Sequence, residues 1–241
     1  GLQCEKSLYL HKYHYKLKDP ITISQQAVFD QGKNIGLLAQ KLFPNGVDAS
    51  PKNYFNIAES VEKTLDFLGR GEKVIYEATF LYDDVLAALD ILVKTSKGWQ
   101  AYEVKSSTSV SLTNIADAAI QYYTIINSGI DLKDISIVYI NNQYIKYGDL
   151  NIYKLFKVKS VYNEVLDYLP IIPNEIKRLK NIIESSEIPQ TDIGPHCTEP
   201  YNCDFMGTCW KHIPEYSVFN DYFELLFQCF HDYTEQWPFL R

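Results

Sequence analysis

Three ionisable residues interrupt the stretch LDILVKTSKGWQAYEVKSS at positions 89 to 107: Asp90, Glu103 and Lys105. With TSKG (95 to 98) as a hairpin turn, the register opposes Asp90 and Glu103 across two antiparallel strands. Opposed side chains stand about 4.5–5.5 Å apart at Cβ, so two carboxylates there repel unless a cation lies between them; magnesium takes oxygen ligands at about 2.0–2.1 Å. Alternation puts Asp90, Glu103 and Lys105 on one face and Leu89, Ile91, Val93, Tyr102 and Val104 on the other. Lys105 can neutralise only one of the two acids. The preceding strand adds Glu77 within YEATF, and the following helix adds Gln121 within IQYYTI. The plain alternative is a solvated sheet face on which Lys105 pairs with Glu103 and Asp90 is merely exposed.

The cysteines form a second pattern. Cys4 stands near the start of the sequence, and Cys197, Cys203 and Cys209 follow near its end, with five residues between successive members of the trio. Disulfides are not expected in an intracellular chain, which leaves an iron–sulfur cluster, a structural zinc or buried thiols. The even spacing of five does not suit zinc, whose cysteine pairs stand two to four residues apart. His196 and His212 flank the trio, and Cys229 falls outside the pattern as a buried thiol.

A chain of 241 residues with 46% hydrophobic and 22% charged positions suffices for one large domain or two small ones. No apolar run reaches the roughly 18 residues of a membrane span, and no signal-peptide pattern opens the sequence, so a cytoplasmic protein without a membrane partner is expected. The net charge of −7 excludes a surface that is basic throughout. One local exception is the segment in which Lys6, Lys12, Lys16 and Lys18 alternate with Tyr9, His11, Tyr13, His14 and Tyr15. It reads either as a phosphate-tracking, base-stacking segment or as a solvated amphipathic helix.

Periodicity predicts helices over about 5–16, 24–43 (Ser24 as N-cap) and 54–68, the last with Phe55, Ala58, Val61, Leu65 and Leu68 on one side. Three antiparallel strands follow over 73–105, then a helix over 112–128 and a buried strand in ISIVYINN. Residues 150–188 read as helical, and the chain is irregular from 189 on. The order αβββαβ makes an α/β fold, one mixed sheet with helices against it. Residues 214–241 are rich in aromatics, suited to a final helix on the body or on a partner or further domain.

The aspartate on one strand, the E-x-K on the next and the glutamine on the following helix resemble the PD-(D/E)XK nuclease superfamily, in its RecB-like branch, over about 26–142. One N-terminal cysteine joined to three C-terminal ones resembles the staple of RecB-like nucleases that bind a 4Fe-4S cluster, including CRISPR spacer-acquisition exonucleases. GLQC, YEATF, EVKSSTSV and HC…PYNCDF…CW are similar to a bacterial family in which such a domain precedes another region. Two departures stand out: Gly36 occupies the position of a histidine usual in RecB-like enzymes, and Ile125 that of a tyrosine four residues after the glutamine.

The resemblance implies a restriction-endonuclease-like αβββαβ core over 1–213, with the two termini joined by the cluster, and a separate extension over 214–241. It implies a metal-dependent deoxyribonuclease, an exonuclease on DNA with a free or single-stranded end. Asp90, Glu103 and the carbonyl of Val104 would hold magnesium or manganese. Lys105 would act on the water or the phosphoryl charge, Gln121 with Tyr122 or Tyr123 would orient the lysine or contact the strand, and Glu77 would be an outer acid. Cys4, Cys197, Cys203 and Cys209 would hold the iron–sulfur cluster. The competing expectation is an inactive nucleic-acid-binding or assembly module that keeps the fold.

Overall fold

Six strands form one sheet in which each strand lies beside the next one in the sequence. In this computed structural model residues 1–53 and 56–214 are described. They divide into two units, one of Ile21–Asn181 and one in which Gly1–Pro20 joins the chain from Ile182 onward.

The first unit holds the sheet. Strands β2 (Val74–Tyr82), β3 (Val85–Thr95) and β4 (Gly98–Lys105) form the expected antiparallel meander, and the short β1 (Val47–Asp48) lies parallel to β2. Asp83 and Asp84 make the β2–β3 turn with φ of 51° and 58°, the left-handed pair a two-residue hairpin requires. Helix α4 (Leu112–Asn127), opened by a capping box from Ser111 to Asn114, crosses to β5 (Leu132–Ile140), parallel to β4. At Gly98, φ is 131°, and an added Cβ would meet Lys133 Cγ at 2.5 Å, so the turn into β4 needs glycine.

Both faces of the sheet are apolar. Ile75, Leu89, Leu92, Ala101, Ile135 and Ile137 pack with α4 and with α6 (Tyr162–Tyr168) and α7 (Ile172–Glu184). Ile91, Val93, Tyr102, Val104 and Val138 pack on the other side with Leu38 and Ala39 of α2 (Ile23–Gln40). This corrects the expectation of one packed and one charged face. Leu89 lies with Leu92 rather than with Ile91, because strict alternation breaks at Asp90.

Residues 150–188 are not all helical. After a four-residue helix α5 (Ile152–Leu155), Phe156–Ser160 is a sixth strand, β6, antiparallel to β5. Its FKVKS alternates apolar and charged residues, and its lysines suit an edge strand. Helix α2 is capped by Thr22, two residues before the expected Ser24, through a capping box with Gln25. Helix α3 spans Ile57–Gly69, and Phe55 lies outside the described residues.

In the second unit, α1 (Glu5–Tyr13) and a 3-10 turn (Tyr15–Leu17) are fastened to the C-terminal chain. Gln3 Nε2 donates to the carbonyls of His196 (2.8 Å) and Tyr201 (2.6 Å), and Asp19 N donates to Asp204 O (2.7 Å). Gly207 N donates to Asp19 Oδ2 at 2.9 Å; a Cβ there would meet Asp19 Oδ1 at 2.5 Å. His11 and Lys18 both pair with Asp204, and Tyr13 donates to Ile183 O, so part of the basic, aromatic N-terminal segment serves to bind the chain ends together. The aromatic stretch from 215 on, with Cys229, lies outside the described residues.

Candidate active site

Asp90, Glu77 and Glu103 occupy the three central strands at one level. The β3–β4 register runs from Thr95↔Gly98 to Ile91↔Tyr102, and Asp90 and Glu103 are the next pair in that sequence. There the ladder gives way: Asp90 Oδ2 accepts the Val104 backbone N–H at 2.6 Å. Between β2 and β3 the ladder likewise skips Glu77, flanked by Tyr76↔Ile91 and Ala78↔Leu89. Glu77 has φ 55°, a left-handed conformation unusual for glutamate and a place where strain is stored. Its neighbours Ile75 and Ala78 both face the α4 side, so this residue absorbs the kink and carries the change of side.

Burial and mutual repulsion shape the electrostatics. Asp90 is held well above the usual carboxylate range by burial first and by Glu103 second, with the Val104 N–H opposing. Glu77 is pushed up to about 7 by burial, then by Asp48 and Glu103. Asp48, on β1 beside Tyr76, thus joins the acidic row from a fourth strand.

Glu103 is 8% exposed. Its Oε1 pairs with Lys105 Nζ at 3.1 Å, while Oε2 is buried with no hydrogen-bond partner among the described residues. An orphaned carboxylate oxygen beside two further acids is a set of hard oxygen donors of the kind that suits magnesium or manganese. As the side chains stand, no three His, Cys, Asp or Glu among the described residues are drawn together closely enough to bind an ion. Asp90 turns to Val104 N and Glu103 to Lys105, as opposed like charges do.

Lys105 also reaches Asp117 Oδ2 at 3.3 Å. Burial disfavours its charge, but Glu103 and then Asp117 outweigh that, and its pKa rises. Asp117 is the residue the sequence reading missed. It lies on α4 one turn before Gln121, so the helix periodicity could have exposed it.

The expected aromatic helpers are elsewhere. Tyr122 is buried, its hydroxyl donating to Leu132 O at 3.3 Å and its ring 5.6 Å from Tyr162, and Tyr123 packs on Tyr82 at 5.9 Å. Neither is bonded to Lys105. Gln121 Oε1 is buried without a partner among the described residues, and the lysine's contact on α4 is Asp117.

In the second unit the four cysteines line one cavity together with Lys6 and His196. Cys4 caps α1, its Sγ accepting from Ser7 N at 3.4 Å. Cys203 N donates to Cys197 O at 2.8 Å, and Cys209 ends the short helix α8 (Met206–Cys209). Burial raises the Cys209 thiol pKa; Lys6 opposes this and the other three cysteines add to it. All four thiols are free. As the side chains stand, these four thiols too are not drawn together closely enough to bind an ion.

No family model and no curated protein matches the chain. Among solved structures it is similar to a phage related exonuclease from Haemophilus somnus 129PT, at 13% identity and TM-score 0.29 over 74% of this chain and 92% of that one. It is similar also to an alkaline exonuclease from Laribacter hongkongensis, at 14% identity and TM-score 0.25 over 73% and 90%. Among the described residues no helix is long and apolar enough to cross a membrane.

Proposed function

We propose that the chain is a metal-dependent nuclease that hydrolyses phosphodiester bonds in DNA, working from an end. The observation that carries this reading is the Asp90–Glu103 pair on adjacent strands, Asp90 half-buried and Glu103 buried, with one carboxylate oxygen of Glu103 unpartnered among the described residues and Lys105 beside it. Asp90, Glu103 and the Val104 carbonyl would hold the ion, with Glu77 behind them. A bound magnesium or manganese ion would polarise the phosphate and lower the pKa of the attacking water.

The chain's own part is electrostatic and geometric. Glu103 and Asp117 favour the charged form of Lys105. In this reading it is a cation for the charge that develops on the phosphoryl oxygens. Asp117 positions it from α4. Gln121, whose amide oxygen is buried without a partner among the described residues, would serve as a donor or acceptor for the strand.

The second part of the proposal is a 4Fe-4S cluster on Cys4, Cys197, Cys203 and Cys209 with a structural role: it ties the N-terminal segment to the C-terminal one. Four thiols around one cavity, drawn from both ends of the chain, support it. Anaerobically purified protein should carry about four irons and four inorganic sulfides per chain; zinc in their place would refute the cluster.

The nuclease test incubates that protein with labelled single- and double-stranded DNA and manganese, beside Asp90→Ala and Lys105→Ala. Cleavage that both variants lose is expected. An inert parent, or cutting unchanged in both variants, would leave an inactive module that keeps the fold.

A further inference from the structure

Beyond the carboxylates, the segment that follows β5, from the β5–β6 loop through β6, has a composition the candidate site does not use. Residues 141–160, NNQYIKYGDLNIYKLFKVKS, carry Lys146, Lys154, Lys157 and Lys159 against a single acid, Asp149, in a chain of net charge −7. Lys159 pairs with Glu164 at 3.1 Å. The ammonium groups of Lys146, Lys154 and Lys157 pair with no acid among the described residues. Interleaved with them are two of the most exposed large side chains of the unit, Tyr147 at 84% and Tyr153 at 74%.

The loop is built rather than loose. Asn141 N donates to Leu155 O at 2.8 Å, Asn141 Nδ2 to Lys154 O at 3.0 Å, and Asn151 N to the Tyr144 hydroxyl at 2.9 Å, which closes the base and braces the middle. Tyr147 and Tyr153 are thus held outward on a fixed support, and an aromatic ring exposed in this way gains by covering its faces.

Its position is set by the parallel β4–β5 pairing. Lys105 is in register with Tyr139, and Ile140 N donates to Ser107 O at 2.9 Å. The loop leaves the sheet at Asn141, two residues beyond that register position. From strand rise and spacing, its root lies about 8 Å from the Lys105 backbone.

We propose that this loop, with Lys157 at the start of β6, is a single-stranded DNA platform feeding the candidate active site: Tyr147 and Tyr153 stack on unpaired bases while Lys146, Lys154 and Lys157 neutralise phosphates. Cationic groups that follow a backbone, alternating with aromatic faces, match the chemistry of an unpaired strand. In a duplex each base face is already covered by its neighbours, so the tyrosines favour single strands over duplex. The choice of DNA rests on the nuclease reading; the platform itself does not require cleavage.

The test measures binding of the full chain to a labelled 20-residue oligothymidine, and to a duplex of the same length, by fluorescence anisotropy in EDTA. Single-strand binding by the parent should exceed duplex binding. Tyr147→Ala with Tyr153→Ala should weaken it at least about tenfold, and Tyr147→Phe with Tyr153→Phe should leave it unchanged, because the stacking face is kept. Lys146→Ala with Lys154→Ala should reduce the slope of log affinity against log salt by about 1.4.

A parent that binds single strands but never cuts them supports the platform while removing the hydrolase. A parent that fails to bind, alanine variants that bind equally well, or duplex bound as tightly as single strand, would each overturn the platform.

Discussion

Lys105 is held between two carboxylates from different elements, Glu103 on its own strand and Asp117 on α4. The pairing fixes both its charge and its direction. Lys105→Ala should lower kcat by about 10²–10³-fold, the scale of losing one positioned charge, with a small change in KM. Asp117→Asn removes one of the two supports and leaves the ammonium, so it should reduce kcat by at most about 10²-fold, through misplacement. Steady-state cleavage of a labelled oligonucleotide separates the two.

Glu77 supplies a pH signature. Its carboxyl is pushed from 4.5 up to about 7, so between those values the folded metal-free protein binds more protons than the unfolded chain. Stability from this group is therefore fully present below the unfolded value and falls as pH rises towards about 7; Asp90 acts in the same direction. Thermal melts in chelator should show Tm decreasing from about pH 5 to about pH 7.5, with Glu77→Gln flattening the decrease. Manganese should restore more Tm at the higher pH, where the acids are ionised.

At the scale of elements, the central hairpin positions the site because its ladder fails where the acids stand. The left-handed Glu77 is braced from beneath by α3. Ser60 Oγ bonds Ala49 O at 2.7 Å and shares a 2.7 Å hydrogen bond with Thr79 Oγ1, and Thr79 N donates to Thr64 Oγ1 at 2.9 Å. Ser60→Ala takes the side-chain donor from the buried Ala49 carbonyl and should cost about 1–3 kcal/mol of stability by urea unfolding. If that network also sets the conformation of Glu77, the same variant should lower cleavage.

The meander, α4 and β5 were legible because period and turn signals agreed over runs of eight or more residues. Strand β1, two residues long, left no periodic trace, and β6 was hidden by the helix-forming residues around FKVKS. Only the unpaired edge of β5 makes a strand of that segment.

For the molecule as a whole, Gly1–Pro20 and the described residues from Ile182 onward belong to one unit. Cys197→Ser should lower the unfolding temperature of the purified protein and reduce its iron content together, measured by calorimetry and metal analysis. An unchanged melt with full iron would speak against the structural role. Closing a loop this long costs little more than closing a short one, so a staple between distant cysteines is an economical lock.

From sequence alone came the helix–meander–helix–strand order, the opposition of Asp90 and Glu103, the company of Lys105 and the grouping of four cysteines at the two ends. These depend on local period, hairpin register and residue chemistry, which are properties of neighbours along the chain. The tertiary structure decided what depends on neighbours in space: both sheet faces are packed, Glu77 kinks β2, Asp117 rather than a tyrosine meets the lysine, and one oxygen of Glu103 is left without a partner among the described residues. Burial and cross-element distance set each of these, and neither is encoded within a single window of sequence.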